Sequence, residues 1–264
     1  MPEHDLPLLI DAARLAGDIA LRHWRQSPKV WEKAGGQGPV SDADIEVNEA
    51  LGAYLRSLRP DYGWLSEESE DSDARLFTER QFILDPIDGT RTFLKGESAF
   101  SHALAVVRDG QVIAGVVYLP AQDKLYAATI DGPATLNGVE IRVNPSQTSI
   151  DARVLTGKGS LAPEHWPGGV PLVSRHFRAS MAWRLCLVAE GAFDAMLTLH
   201  PAWEWDIAAG ALIAARAGAR VTDRKGAPLR FNTRDPRSAG LIVAAPGLHT
   251  ELIARLLAPQ LTPK

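Results

Sequence analysis

Two aspartates three positions apart, Asp85 and Asp88, are the first candidates for chemistry in this chain, and they stand in the motif DPIDGT. Residues 81–84 (QFIL) predict a short buried strand, so both carboxylates follow the carboxyl end of a strand. The proline between the two acids fixes its own φ, and Gly89 permits a left-handed backbone or a close approach. The carboxylates and the Ile87 carbonyl can therefore converge on one point, and such oxygen ligands are typical of Mg²⁺ or Ca²⁺ sites.

Thr90 and the amides after Gly89 can open a helix, and the N-terminus of a helix favours an anion. A cation site and an anion site would then be neighbours, as metal-assisted phosphate chemistry requires. The dipeptides Asp-Pro and Asp-Gly are also ordinary turn sequences. The motif alone leaves a metal site and a plain turn open, and further acids are needed to choose between them.

Three more acids are candidates, and each has a simpler structural interpretation. Asp44 falls in the first turn of a predicted helix, where an acid complements the helix dipole. Asp206 begins an alanine-rich helix that ends at Gly218, and there it could be a plain cap. Glu67 follows a short apolar piece at residues 63–66.

The acids around Glu67 set a limit on how many side chains can share one site. Neighbouring acids on an extended segment point to opposite sides, so only one of Glu67 and Glu68 is expected to reach it. The acids within residues 70–73 are predicted to form a solvated loop. Lys33 is likewise predicted to be a solvated charge.

The first elements that must position these residues are two helices. An amphipathic helix is predicted from residue 5 to about residue 26. A glycine-rich segment, KVWEKAGGQGPVSDAD, leads into a second helix that Ser41 or Asp42 caps. Val47, Leu51, Leu55 and Leu58 would form the inner face of that helix.

The remaining elements divide the chain into two predicted parts. Turn signals at residues 109–110 (DG) and 137–138 (NG) indicate an antiparallel sheet, whereas shorter strands alternate with helices further on. We therefore predict an N-terminal α+β part at residues 1–143, with helices packed on the antiparallel sheet and most of the candidate acids. Residues 144–264 would be an α/β part that contributes Asp206.

The composition is that of a globular protein, with 264 residues of which 45% are hydrophobic and 23% are charged. A net charge of −4 without a basic stripe argues against a nucleic-acid polymer as partner. Scattered histidines and the single Cys186, an expected core residue, argue against zinc. No apolar run has membrane-spanning length and no leader pattern is evident, so we expect no transmembrane segment and a cytoplasmic location.

Three motifs in order, LSEES with Glu67, DPIDGT, and EWDIAAG with Asp206, resemble the motif set of the inositol monophosphatase superfamily of Mg²⁺-dependent, lithium-sensitive phosphatases. The resemblance runs from Lys33 to about Gly218. It implies a layered αβαβα sandwich, mixed α+β and α/β, of the inositol monophosphatase and fructose-1,6-bisphosphatase type. It also implies a homodimer and a small phosphorylated substrate.

The resemblance further implies roles for individual residues. Two or three Mg²⁺ ions would be held by Glu67, Asp85, the Ile87 carbonyl, Asp88 and Asp206. Glu67, Thr90 and Asp44 would be catalytic, with Thr90 near the attacking water and Asp44 helping to orient that water and to hold a weaker metal. The substrate would contact the set Asp88, Gly89, Thr90, Ala179, Ser180, Met181 and Asp206.

Within the superfamily, the chain looks most like the CysQ-type 3'(2'),5'-bisphosphate nucleotidases, which convert adenosine 3',5'-bisphosphate to AMP. Ser66 before Glu67 matches their LSEE motif, and Leu199 stands where the inositol enzymes place an acid for ring hydroxyls. Trp203 could flank an adenine. A basic group must hold any second phosphate, and the sequence leaves six candidates, Arg91, Lys95, Lys158, Arg175, Arg178 and Arg184.

Two alternatives stay open at this point. The first is a phosphatase for inositol 1-phosphate or another sugar phosphate, and the second is a non-catalytic protein that only binds cations. Thr90 beside a full set of acids argues against the second alternative, because cation binding does not need a hydroxyl. An EF-hand loop is disfavoured, since a loop that starts at Asp85 reaches Gly96 where a bidentate Glu is required.

Overall fold

The computed structural model describes residues 5–33 and 38–259, so residues 34–37 of the glycine-rich segment lie outside the described residues. The α-helices in this part of the chain are α1 (Asp5–His23), α2 (Asp42–Leu58), α3 (Thr90–Leu94), α4 (Met181–Ala189), α5 (Glu204–Arg216) and α6 (Pro246–Leu256). The strands up to residue 140 are β1 (Val30–Glu32), β2 (Pro39–Ser41), β3 (Gly63–Ser66), β4 (Arg80–Asp88), β5 (Ser101–Arg108), β6 (Gln111–Leu119), β7 (Lys124–Thr129), β8 (Thr135–Leu136) and β9 (Val139–Glu140). The later strands are β10 (Arg153–Leu155), β11 (Ser174–His176), β12 (Ala195–Thr198), β13 (Ala202–Trp203), β14 (Arg220–Thr222), β15 (Arg237–Ser238) and β16 (Leu241–Ala244).

The larger sheet has seven strands in the order β3-β4-β5-β6-β7-β8-β9, and β3 is parallel to β4 whereas the other neighbours are antiparallel. Its central strands are apolar on both faces because helices cover both. On β5, Ala105 packs with the core that contains α4 and α5, while Leu104 and Val106 pack with α1 and α2. This alternation is the period of two that a strand imposes on its side chains.

The smaller sheet has five strands in the order β11-β10-β12-β16-β14. It repeats the two-faced arrangement, because Leu241 and Val243 of β16 face the core shared with α4 and α5. Ile242 and Ala244 face α6 on the other side. The layers are therefore α1 and α2, the larger sheet, α4 and α5, the smaller sheet, and α6, which confirms the predicted αβαβα sandwich.

Helix α5 lies in the middle layer, and its small residues allow close packing on both sides. An ideal Cβ on Gly210 would lie 2.7 Å from Cβ of Leu185 in α4 and 3.2 Å from the Ala182 carbonyl oxygen, so a side chain there would push the two helices apart. On the sheet side, a Cβ on Gly115 of β6 would lie 3.0 Å from the Cα of Ala209. This tight contact fixes the start of α5, which carries Asp206, relative to both the sheet and α4.

Most predicted elements are present, and the differences have local causes. The hairpin turns at residues 109–110 and 137–138 are confirmed by β5 and β6 and by β8 and β9. Strand β4 continues past residue 84 to Asp88, and its register against β5 shifts between Asp85 and Asp88, where the proline lacks a donor. Leu58, at the end of α2, is 48% exposed, so its predicted place on the inner face was wrong. No helix in residues 5–33 or 38–259 is both long enough and apolar enough to cross a bilayer.

Candidate functional site

The ends of several elements meet at one cavity of about 390 Å³. Strand β3, strand β4 and the starts of α3 and α5 all contribute, as do the turn before α4 and the strand β2. The residues that line it are Pro39, Glu67, Asp85, Ile87, Asp88, Gly89, Thr90, Arg91, Thr92, Lys95, Phe177, Ala179 and Asp206. Four acids from three separate segments of the sequence, Glu67, Asp85 with Asp88, and Asp206, therefore share one cavity.

Three of these acids form the centre of the cavity. Asp85, Asp88 and Asp206 each have a carboxylate oxygen within 4.8 Å of an oxygen of the other two. The register shift in β4 lets Asp85 and Asp88 point to the same place although they are three residues apart. Asp206 is the third residue of α5, whose N-cap is Trp203, so the interpretation of Asp206 as a plain cap was wrong.

Burial and mutual repulsion give the three aspartates unusual electrostatics. Burial, followed by the charge of Glu67, raises the pKa of Asp85 well above its ordinary value. Burial and then the charge of Asp88 do the same for Asp206. Burial also raises the pKa of Asp88 to about 6, although a hydrogen bond from Ser180 opposes it. A cation between the carboxylates would remove this repulsion.

Asp85 supplies a further reason to expect a cation. Its Oδ1 atom is buried and has no hydrogen-bond partner among the described residues. Buried polar atoms in proteins are nearly always paired. Hard oxygen ligands at this spacing, one of them unpaired, fit a divalent cation such as Mg²⁺.

The turn before α4 holds Asp88 in place. The Oδ2 atom of Asp88 accepts hydrogen bonds from the Ser180 hydroxyl and the Ala182 amide, both at 2.7 Å. Of the three residues expected to contact substrate from this turn, Ala179 lines the cavity. Ser180 is buried and occupied with Asp88, and Met181 begins α4, so neither is a lining residue.

Thr90 and Asp44 form a hydrogen-bonded pair at the cavity wall. The Thr90 hydroxyl lies 3.2 Å from Oδ1 of Asp44 and 3.0 Å from the Ile87 carbonyl oxygen, and it can donate to either. Oδ2 of Asp44 accepts from the backbone amide and the hydroxyl of Ser41, at 2.9 and 2.6 Å. Asp44 is therefore both part of the cap of α2 and the partner of Thr90. Burial raises its pKa above the ordinary value.

Gly89 joins β4 to α3 in a conformation that other residues rarely adopt. Its φ is +99°, in the left-handed region that favours glycine. An added Cβ would lie 3.1 Å from the Ala99 carbonyl oxygen. The left-handed residue turns the chain so that the amides of α3 follow directly after Asp88.

The limit of one glutamate in the shared site agrees with the cavity, which Glu67 lines and Glu68 does not. Lys33 corrects a different prediction. Its ammonium lies 2.7 Å from a Glu67 carboxylate oxygen and 2.5 Å from one of Glu68, so it is not a solvated charge. Burial lowers the pKa of Lys33, but the contacts with Glu67 and Glu68 outweigh it and the net pKa is raised. Both glutamates reach Lys33 because residues 67–69 form a turn and not an extended segment. Burial raises the pKa of Glu68 to about 7.

The acids within residues 70–73 are exposed, as predicted for a solvated loop, but one of them pairs with a buried arginine. Asp71 accepts from the buried Arg75 at 2.6 Å, and Arg75 donates to Asn232 and to the Thr233 carbonyl. The predicted solvated loop is thus tied to the other half of the chain.

A sequence model of the inositol monophosphatase family matches residues 1–261. The chain belongs to the inositol monophosphatase family. The sequence-based resemblance is thereby confirmed, and with it the assignment of the chain to a family of metal-dependent phosphatases. The cluster of Asp85, Asp88 and Asp206 is a place where such a metal could bind.

Relatives within the inositol monophosphatase family bear two kinds of name. The inositol-1-monophosphatase of Mesorhizobium japonicum is 34% identical over 241 residues, which cover 84% of this chain and 86% of the relative. The 3'(2'),5'-bisphosphate nucleotidase CysQ of Escherichia coli strain K12 is 32% identical over 228 residues, which cover 84% and 92%. Family membership therefore establishes the phosphatase class and leaves the substrate to be argued from residues.

Solved structures of the inositol monophosphatase family share the fold. The Thermotoga maritima IMPase aligns with a TM-score of 0.82 at 28% identity and covers 97% of both chains. The extragenic suppressor protein suhB of Bartonella henselae aligns with a TM-score of 0.80 at 27% identity, covering 97% of this chain and 99% of the other.

Two side chains considered for the substrate lie away from the cavity. Leu199 is 3% exposed and packs in the core beside α6. Trp203 stacks on Trp205 with ring centroids 4.5 Å apart, and Arg237 lies 5.2 Å from the Trp203 ring centroid. Neither Leu199 nor Trp203 lines the cavity. Phe177 and Pro39 do line it, and sequence reasoning missed both because nothing in their neighbourhood distinguishes them from loop residues.

Replacing Lys33 tests its pairing with the two glutamates. In Lys33→Gln, the charges of Glu67 and Glu68 lose their partner at half-buried positions. We expect metal-free protein at pH 8 to lose about 1–2 kcal/mol in the free energy of unfolding. Urea unfolding in EDTA measures the loss, with the exposed Lys158→Gln as the matched control. A loss no larger than that of the control would contradict the pairing.

Proposed function

We propose that this chain is a Mg²⁺-dependent phosphomonoesterase that hydrolyses the 3'-phosphate of adenosine 3',5'-bisphosphate, giving AMP and phosphate. The observation that carries the proposal is the convergence of Asp85, Asp88 and Asp206 in a cavity that also presents the Thr90 hydroxyl. Clustered carboxylates bind divalent cations, and a hydroxyl beside them serves hydrolysis and not cation binding alone.

Five groups would hold two or three Mg²⁺ ions, namely the carboxylates of Glu67, Asp85, Asp88 and Asp206 and the Ile87 carbonyl. Mg²⁺ bound there would neutralise charge on the phosphoryl oxygens and lower the pKa of a water molecule. The Asp88 carboxylate is suited to a metal because Oδ2 is held by two donors and Oδ1 is left over. Asp85 and Asp206, whose pKa values burial raises, gain most from a cation.

The attacking water would be oriented by Thr90 and Asp44. When the Thr90 hydroxyl donates a hydrogen bond to Asp44, the lone pairs of its oxygen are left to accept a hydrogen bond from water. Ser41 keeps the Asp44 carboxylate in the orientation that receives the Thr90 proton. Water aligned in this way would attack the phosphorus atom in line with the leaving 3'-oxygen. The new P–O bond would form as the bond to the 3'-oxygen breaks, with a proton of the water passing through the Thr90 hydroxyl to Asp44 and the 3'-oxygen taking a proton from solvent water. The anion would lie against the amides that follow Gly89.

Residue type at two positions supports a nucleotide over an inositol phosphate. Leu199 cannot bind a ring hydroxyl, because its side chain has no polar atom and is buried in the core. Ser66 before Glu67 resembles the CysQ motif. The relatives do not separate the two substrates, since an inositol-1-monophosphatase and a CysQ are about equally similar to this chain.

A phosphatase for inositol 1-phosphate is the second candidate, because relatives of that name match the chain. Phosphate release in Mg²⁺ from adenosine 3',5'-bisphosphate, inositol 1-phosphate and fructose 1,6-bisphosphate distinguishes the candidates. We expect the highest kcat/KM on the bisphosphate nucleotide and none in EDTA. Preference for inositol 1-phosphate would overturn the nucleotidase proposal. No release from any of the three would favour a non-catalytic cation-binding protein.

A further inference from the structure

The cavity of the acids also contains two cations, Arg91 and Lys95. Both follow Gly89: Arg91 is the second residue of the short helix α3, and Lys95 is the C-cap of that helix. Residues four apart lie on the same face of a helix, and the Lys95 backbone is still helical, so both side chains are directed to the same wall of the cavity that they line. Both are exposed to solvent and can adjust to a ligand.

Arg91 and Lys95 are available for a ligand. Within residues 5–33 and 38–259, neither side chain makes a hydrogen bond or an ion pair with another residue. This separates them from Lys33, which is paired with Glu67 and Glu68.

The other basic candidates are occupied or lie elsewhere. Arg184 is buried, and it donates from Nε to the Arg178 carbonyl at 2.6 Å and from Nη2 to the Ala179 carbonyl at 3.1 Å. Its guanidinium also lies 4.3 Å from the Phe177 ring centroid. Arg184 therefore shapes the turn before α4. The other three candidates, Lys158, Arg175 and Arg178, do not line the cavity.

The charges around the cavity indicate what Arg91 and Lys95 could bind. Two divalent ions would neutralise the four carboxylates of Glu67, Asp85, Asp88 and Asp206. Arg91 and Lys95 would then be the charged side chains that remain at the wall. Arginine and lysine side by side are complementary to a phosphate group. The cavity volume of about 390 Å³ is in the range that holds a whole small ligand.

We propose that Arg91 and Lys95 bind a second phosphate of the substrate and thereby select a bisphosphate over a monophosphate ester. The inference rests on the proposed phosphatase function and adds the residues that determine its specificity. The scissile phosphate lies against the acids and Gly89, and the second phosphate lies against the exposed side of α3.

A pair of substrates that differ only in the second phosphate tests the proposal. Adenosine 3',5'-bisphosphate and adenosine 3'-monophosphate are compared in wild type, Arg91→Gln, Lys95→Gln, the double variant and the control Lys158→Gln. Each single variant should lose about tenfold in kcat/KM on the bisphosphate, mainly through KM, and the double variant about a hundredfold. Losses on the monophosphate should be at least tenfold smaller than those on the bisphosphate.

Calorimetric binding of AMP and adenosine adds a readout that does not depend on turnover. AMP retains the second phosphate, so its Kd should weaken at least tenfold in the double variant, whereas adenosine should bind both proteins alike. Equal losses on the two substrates, or AMP binding unaffected by the double variant, would overturn the inference and leave the phosphatase function standing. Wild type that binds AMP through Arg91 and Lys95 but hydrolyses neither substrate would overturn the proposed function and support the subsite.

Discussion

Replacing Asp88 with asparagine should abolish Mg²⁺-dependent phosphate release and at the same time stabilise the metal-free protein. We expect kcat to fall by at least about a thousandfold, because a metal ligand is lost and a metal contributes several kcal/mol to transition-state stabilisation. The asparagine carbonyl can still accept from Ser180 and Ala182, so the turn before α4 is retained.

The stabilisation has a definite pH dependence. Burial raises the pKa of Asp88 from 3.8 to about 6, so folding favours its protonated form. The stabilisation of wild-type protein by the protonated Asp88 carboxyl is complete below about pH 4, where this group is protonated in the folded and unfolded protein alike. It is lost as the pH rises through about 6, at a cost of about 3 kcal/mol. In EDTA, the difference in unfolding free energy between Asp88→Asn and wild type should therefore grow from pH 4 to pH 8.

Asp194 provides a matched control. It is a buried aspartate away from the cavity, and burial would raise its pKa, but Arg153 and Asn144 outweigh burial and lower the pKa below its ordinary value. Asp194→Asn should therefore destabilise the protein at pH 8 and retain hydrolysis. The account would be wrong if Asp88→Asn kept wild-type turnover, or if it destabilised metal-free protein as Asp194→Asn does.

Replacing Thr90 should have the second-largest effect. Thr90→Val keeps the shape of the side chain but removes the hydroxyl that joins Asp44 to the cavity. We expect kcat to fall about a hundredfold to a thousandfold with KM changed little, as for the loss of a group that orients the attacking water and links it to a general base. Steady-state kinetics with Thr90→Ser supplies the control, because serine retains the hydroxyl and should keep most of the activity.

Asp44 adds a coupling test to the Thr90 prediction. If Thr90 acts through Asp44, Asp44→Asn should lower kcat similarly, and the double variant should lose little more than either single variant. If the losses in kcat of the two single variants add up in the double variant, Thr90 and Asp44 act independently. If Thr90→Ser has a kcat as low as that of Thr90→Val, the hydroxyl does not have this role.

The layered fold and the meeting of the acids were accessible from sequence for a physical reason. The apolar runs of β5 and β6 and the two-residue turns are local signals that the structure retains. Asp85 and Asp88 could be assigned to a strand end because the Pro and Gly beside them constrain the backbone. Their proximity to Asp206 could not be derived from local pattern, and it came from the ordered motifs that resemble the family.

Other features of the site could not be predicted, because they depend on contacts between distant segments. The sequence predicts Lys33 to be a surface charge, and only the fold brings it to Glu67 and Glu68. Ser180 reads as a substrate contact, but packing of the turn before α4 directs its hydroxyl to Asp88. The choice of Arg91 and Lys95 among six basic candidates likewise required knowing which side chains line the cavity.

A crystal structure with Mn²⁺ and phosphate tests the central claim most directly, because anomalous scattering locates the metal independently of its ligands. The account predicts anomalous peaks between the carboxylates of Asp85, Asp88 and Asp206, with Glu67 beside them and phosphate against Gly89 and Thr90. Manganese bound at other residues, or a phosphate that does not touch the metal cluster, would contradict it.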